Sequence, residues 1–93
     1  MVYLVAYDLK KPNDTSENYE LIAEGIKSNY PTWCHIELSV WLVSTDSDAA
    51  TIRELLKNYT HQGDVLFVAR LQGNWASWNF GDVRNNWLKG LAF

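Results

Sequence analysis

The chain has 93 residues, 47% of them hydrophobic, enough for one packed domain and too few for two. A net charge of −3, with no block of like charges, argues against the basic stripe on which sequence-independent nucleic-acid binding depends. The single cysteine, Cys34, excludes an intrachain disulfide; five tryptophans in so short a chain call for dense packing or a partner, because indoles concentrate in cores and interface hot spots.

The opening segment, Met-Val-Tyr-Leu-Val-Ala-Tyr-Asp, lacks a basic leader and meets a carboxylate at Asp8, so it reads as a strand over Val2–Leu9 and not as a signal peptide. Both its faces are apolar, as suits a central strand. A cytoplasmic location and no membrane contact are the expectations. Pro12–Asp14 is turn chemistry, and Asp14, Thr15 or Ser16 offers a cap to a helix whose apolar stripe is Tyr19, Ile22, Ile26 and Tyr30. Pro31 ends that helix near Asn29.

From Thr32 to Ser44 the sequence alternates strictly, as one bent strand or a tight hairpin would. One set is aliphatic: Cys34, Ile36, Leu38, Val40 and Leu42. The other is mixed: Trp33, His35, Glu37, Ser39, Trp41 and Val43. The aliphatic set is expected to face the helices, leaving Trp33, His35, Glu37, Ser39 and Trp41 on an open sheet face as an interface. Thr45–Asp48 then caps a second helix with the stripe Ala49, Ile52, Leu55, Leu56 and Tyr59, closed near Gly63. Val65–Leu71, apolar on both faces, reads as another central strand. A tail over 73–93 follows a core over 2–72, and within it Asp82 can cap a short helix carrying Val83, Trp87, Leu88 and Leu91.

Strand, helix, long strand or hairpin, helix, strand is the order of an α+β, ferredoxin-like domain, an antiparallel sheet with two helices on one face and an aromatic-rich tail. The long middle segment speaks against a small doubly wound sheet.

Chemistry is sparse. Asp8, at the end of a strand, suits a divalent-metal ligand or general base, although strand-end turns use aspartate routinely. A hydrolytic site needs a second carboxylate, which a two-fold axis could bring. His35 and Glu37, two residues apart on one strand face, could form an acid–base or metal pair, or simply hydrogen-bond across strands. His61 reads as a helix C-terminal residue, and Cys34 as a buried thiol. Trp33 and Trp41 suggest either a protein partner or base stacking with single-stranded RNA.

In their order, Tyr7-Asp8-Leu9, Trp33-Cys34-His35, Ser39-Val40-Trp41, Asp64-Val65 and Trp78-Asn79-Phe80 resemble the small CRISPR-associated Cas-two family. They are closer still to short phage and bacterial proteins labelled "SinR family" in the Cas-two-like sense. The resemblance spans Val2 to Phe80. It implies a ferredoxin-like homodimer, and for Asp8 the place of a magnesium-binding nuclease aspartate, one from each protomer. It equally implies a non-catalytic dimer that holds a protein or nucleic-acid partner in a phage- or defence-associated setting, with no cofactor.

Overall fold

The computed structural model describes residues 1–10, 15–91 and 93. Valine, leucine and tyrosine, stiff at Cβ or broad enough to cover a pleated surface, build β1 (Val2–Asp8). Helix α1 (Thr15–Asn29) follows, then a hairpin of β2 (Thr32–Glu37) and β3 (Val40–Ser44). Helix α2 (Ala49–Leu56) continues as one 3₁₀ turn over Lys57–Tyr59, and β4 (Val65–Arg70) and α3 (Asp82–Lys89) complete the chain. The cap and turn expected over Pro12–Asp14 lie outside the described residues.

The four strands form one antiparallel sheet in the order β2-β3-β1-β4. With three helices the architecture is α+β. Strand β1 is central, as expected. Strand β4 is not: it is an edge, with Val65 and Phe67 exposed, so its apolar character on both sides does not mark a buried strand. Among the described residues no helix is long and apolar enough to cross a membrane.

Of the two forms expected for Thr32–Ser44, the chain takes the hairpin, turned at Leu38-Ser39. A bulge between His35 and Glu37 breaks the period of two, so Glu37 stands opposite Val40, in phase with the aliphatic residues. His35, by contrast, stands opposite Trp41. The two are not a pair on one face.

Each sheet face carries a layer of its own, complete on the first and partial on the second. The first carries Tyr3, Val5, Tyr7, Trp41 and Val43, packed beneath Ile22 and Ile26 of α1 and Ile52 and Leu56 of α2. Those four helix residues are wholly buried. Each contributes about 1.5–3 kcal/mol by leaving water, far more than any helix propensity in the same turns. Gly25 lets the 3₁₀ turn come in close, because a Cβ there would stand 2.6 Å from Cγ of Tyr59. Asp48 caps α2 by accepting from the Thr51 N–H at 2.8 Å, which holds its carboxyl below the usual range.

The second face carries Val2, Leu4, Cys34 and Leu42. Here the tail folds back as a third layer, bringing Trp75, Phe80, Trp87, Leu88 and Leu91 onto the sheet. This reverses the expected facing. The mixed set, not the aliphatic one, lies under α1 and α2. The reason is that the tail supplies an apolar cover for the aliphatic residues, while the indole of Trp41 finds a polar partner inside the helix-covered core.

Candidate functional site

Trp41 is 1% exposed and lies under α1 and α2. Its Nε1–H donates to Tyr7 Oη at 2.8 Å, and Tyr7 Oη in turn donates to the Leu38 carbonyl at 3.1 Å. Burial pushes the Tyr7 phenol up, against the hydrogen bond from Trp41. The His35 ring stacks on Trp41 with centroids 3.8 Å apart and planes 10° from parallel, and Trp33 meets the same indole edge-on at 5.3 Å. The Lys27 ammonium, carried by α1, lies 5.5 Å from the Trp33 ring and 5.9 Å from the Trp41 ring. Trp41 therefore has no surface to offer a partner, and a base could not stack on it. Trp33 and His35 remain half-buried at the β2 edge, Ser39 is half-buried in the turn, and Glu37 is exposed. His35 Nε2 lies 3.5 Å from the Leu38 carbonyl, and among the described residues no carboxylate hydrogen-bonds to it.

Asp8 ends β1 opposite Val65, with its carboxylate exposed and ion-paired to the Lys10 ammonium. A metal would have to displace that lysine. Among the described residues no group of three or more His, Cys, Asp or Glu side chains converges. The donor set of one chain does not fit a magnesium ion, whose near-octahedral demand calls for more than a single paired carboxylate.

The buried carboxylate of this region is Asp64, whose side chain is 1% exposed. It accepts from the Lys10 N–H and from the His61 N–H, each at 2.8 Å, and so ties the exit of β1 to the α2–β4 loop. His61 Nδ1 lies 3.8 Å from the same carboxylate, so this histidine belongs to the clip. Asp64 is a latch between the two segments, fixed by contacts distant in sequence.

The tail covers only part of the second face. Register places Phe67, Ala6 and Val40 in one row across β4, β1 and β3, with Val65 beside Asp8 at its end. None of Phe67, Ala6, Val40 and Val65 belongs to the tail-covered cluster. Phe67 is 61% exposed, Leu38 in the hairpin turn is exposed as well, and Trp78 is 87% exposed. Within the tail-covered part opens an apolar cavity of about 290 Å³, lined by Leu4, Ile36, Leu42, Trp75, Phe80 and Trp78 among others. The exposed apolar surface of the sheet is thus built from Phe67 and Val65 and lies on the face opposite Trp33 and Trp41, with exposed Trp78 on the cavity of that same face. Sequence reasoning missed these residues because Val65 and Phe67 were assigned to a central strand and Trp78 to a tail, while Leu38 was placed in the set expected to face the helices.

A second cleft, of about 240 Å³, wraps the free edge of β2, where Trp33 and His35 meet Arg84 and Trp87 of α3. No protein-family model matches the chain.

Proposed function

We propose that the chain is a ferredoxin-like, non-catalytic interaction or regulatory module that works as a homodimer, of the Cas-two-like, phage- or defence-associated kind that its motifs resemble. The strand order β2-β3-β1-β4, antiparallel throughout, supports the fold reading. The observation that carries the functional reading is the apolar row of Phe67, Ala6 and Val40, outside the tail-covered cluster and flanked by exposed Val65.

A second copy is the occupant that the surface favours. Phe67, Ala6 and Val40 are themselves apolar, and charge enters only at the margins of the row, at exposed Glu37 opposite Val40 and at Asp8 beside Val65. Its rim charge at Asp8 is already neutralised by Lys10. Strand β4 is a free edge, where a two-fold axis can pair it with its own copy and bring both rows together. A standard interface takes about 800 Å² from each partner, roughly one seventh of the 5847 Å² this small chain exposes.

Light scattering at high micromolar concentration tests the reading: the wild-type chain is expected to run as a dimer and Phe67→Glu as a folded monomer. A strictly monomeric wild type would refute it. The magnesium-dependent nuclease, using Asp8 from each protomer, ranks below this because Asp8 is held by Lys10; nuclease activity abolished by Asp8→Asn in a dimer that stays intact would restore it.

A further inference from the structure

We propose that the cleft at the β2 edge binds a planar aromatic anion, a single ring system carrying one phosphate or carboxylate. The site goes beyond the dimer reading and uses a different surface, so either can fail alone.

The cleft is lined by Trp33, Cys34, His35, Val83, Arg84 and Trp87. Two indoles and an imidazole are an unusual concentration of flat π surface for a space of about 240 Å³. The rings are held in place before any ligand arrives. His35 is fixed by its stack on Trp41, and Trp33 by its edge contact with the same residue. Trp87 is fixed by packing with Leu88 against the sheet. Rings immobilised in this way lose little freedom when a flat ligand stacks on them.

Charge completes the match. Arg84 is oriented by its contact with the Phe80 ring, 5.4 Å from guanidinium to centroid. Lys27 stands on the Trp33 ring from the α1 side. Neither forms an ion pair among the described residues, although the chain carries more acids than bases. A guanidinium without a carboxylate, beside aromatic walls, is suited to stack on a ring and bind an oxyanion with its fork. Size then limits the ligand: the cleft lies below the usual range of about 300–1,000 Å³, which fits a mononucleotide's base and phosphate or an aromatic acid and not a dinucleotide.

The test uses the whole ¹⁵N-labelled chain and follows the five indole N–H resonances on titration with adenosine monophosphate, indole-3-carboxylate, adenosine, indole and inorganic phosphate. Saturable shifts at Trp33 and Trp87 are expected with one or both anions. Neutral rings and phosphate alone are expected to bind at least about tenfold more weakly. Binding of the nucleotide alone, or of the carboxylate alone, upholds the site and identifies the source of its anion. Arg84→Gln is expected to remove the preference for the charged ring. Val83→Glu, at a position 85% exposed and therefore harmless to the fold, is expected to do the same by repulsion. Equal binding of neutral and anionic rings, shifts confined to Trp75 and Trp78 in the apolar cavity, or no saturable shift would overturn the proposal.

Discussion

Replacing glycine by alanine inside a helix ordinarily stabilises it by about 1 kcal/mol, because the backbone loses less entropy on folding. At Gly25 the sign is expected to reverse. A Cβ there would lie 2.6, 2.7 and 2.8 Å from Cγ, Cδ2 and Cδ1 of Tyr59. Carbon atoms rest about 3.5–4.0 Å apart, so the ring must retreat by about 1 Å. The contact falls at the root of the Tyr59 ring, which swings little, and Tyr59 Oη also takes a hydrogen bond from Asn29 at 3.3 Å. Overpacking of this kind costs about 1–3 kcal/mol, and subtracting the propensity gain leaves Gly25→Ala destabilising by about 1 kcal/mol. Urea unfolding followed by circular dichroism measures this directly. In a Tyr59→Ala background the same substitution is expected to stabilise by about 0.5–1 kcal/mol, since the obstacle is gone. A stabilising Gly25→Ala in the wild-type chain would refute the reasoning.

Trp41→Phe removes the donor to Tyr7 and part of the stack with His35 and Trp33, and is expected to cost about 2 kcal/mol in urea unfolding. Asp64→Ala, which orphans the Lys10 and His61 N–H groups, is expected to cost about 2–4 kcal/mol, whereas Asp8→Asn leaves the midpoint within error because its pair is exposed. The Cys34 thiol is held above its ordinary range by burial, with Arg84 acting in the opposite direction. Alkylation at pH 8 is therefore expected to run more than about tenfold slower than in the urea-unfolded chain and to speed up as pH rises. Leu88→Ala, at the 4%-exposed anchor of the tail, is expected to cost about 2–4 kcal/mol and to shift the emission of Trp75 and Trp87 to the red.

Element types and chain order were readable because each segment has a clear local period: the Ile22–Ile26 and Ile52–Leu56 spacings for the two large helices, and the alternation around Cys34–Val43 for the hairpin. What could not be read was the facing of that hairpin. A set containing histidine and glutamate looks like a solvent face, yet His35 is accommodated by stacking on Trp41, and Glu37 leaves the set through a one-residue bulge. A local pattern cannot reveal a bulge, and it cannot reveal that a tail of mixed composition will return to cover the other side. The status of β4 was hidden for the same reason: Val65 and Phe67 look like core residues until the sheet order makes them an edge. Asp8 drew attention by its motif, but the carboxylate the fold buries is Asp64, and only tertiary contacts with Lys10 and His61 distinguish the two.

The third layer also changes what the tryptophans mean. Their density suggests an interface while the chain is imagined as two layers with a bare sheet. With three layers in 93 residues, each layer is thin, and large rings are the economical way to fill the space between them. Trp33 and Trp41 fill the space beneath α1, and Trp75 and Trp87 fill the space beneath the tail. Four of the five indoles are therefore accounted for by packing within one chain. Trp78 is not: it stands 87% exposed on the lining of the apolar cavity. An indole in water there leaves apolar surface that association could remove. The case for a partner thus rests less on how many tryptophans the chain has than on the position of this one.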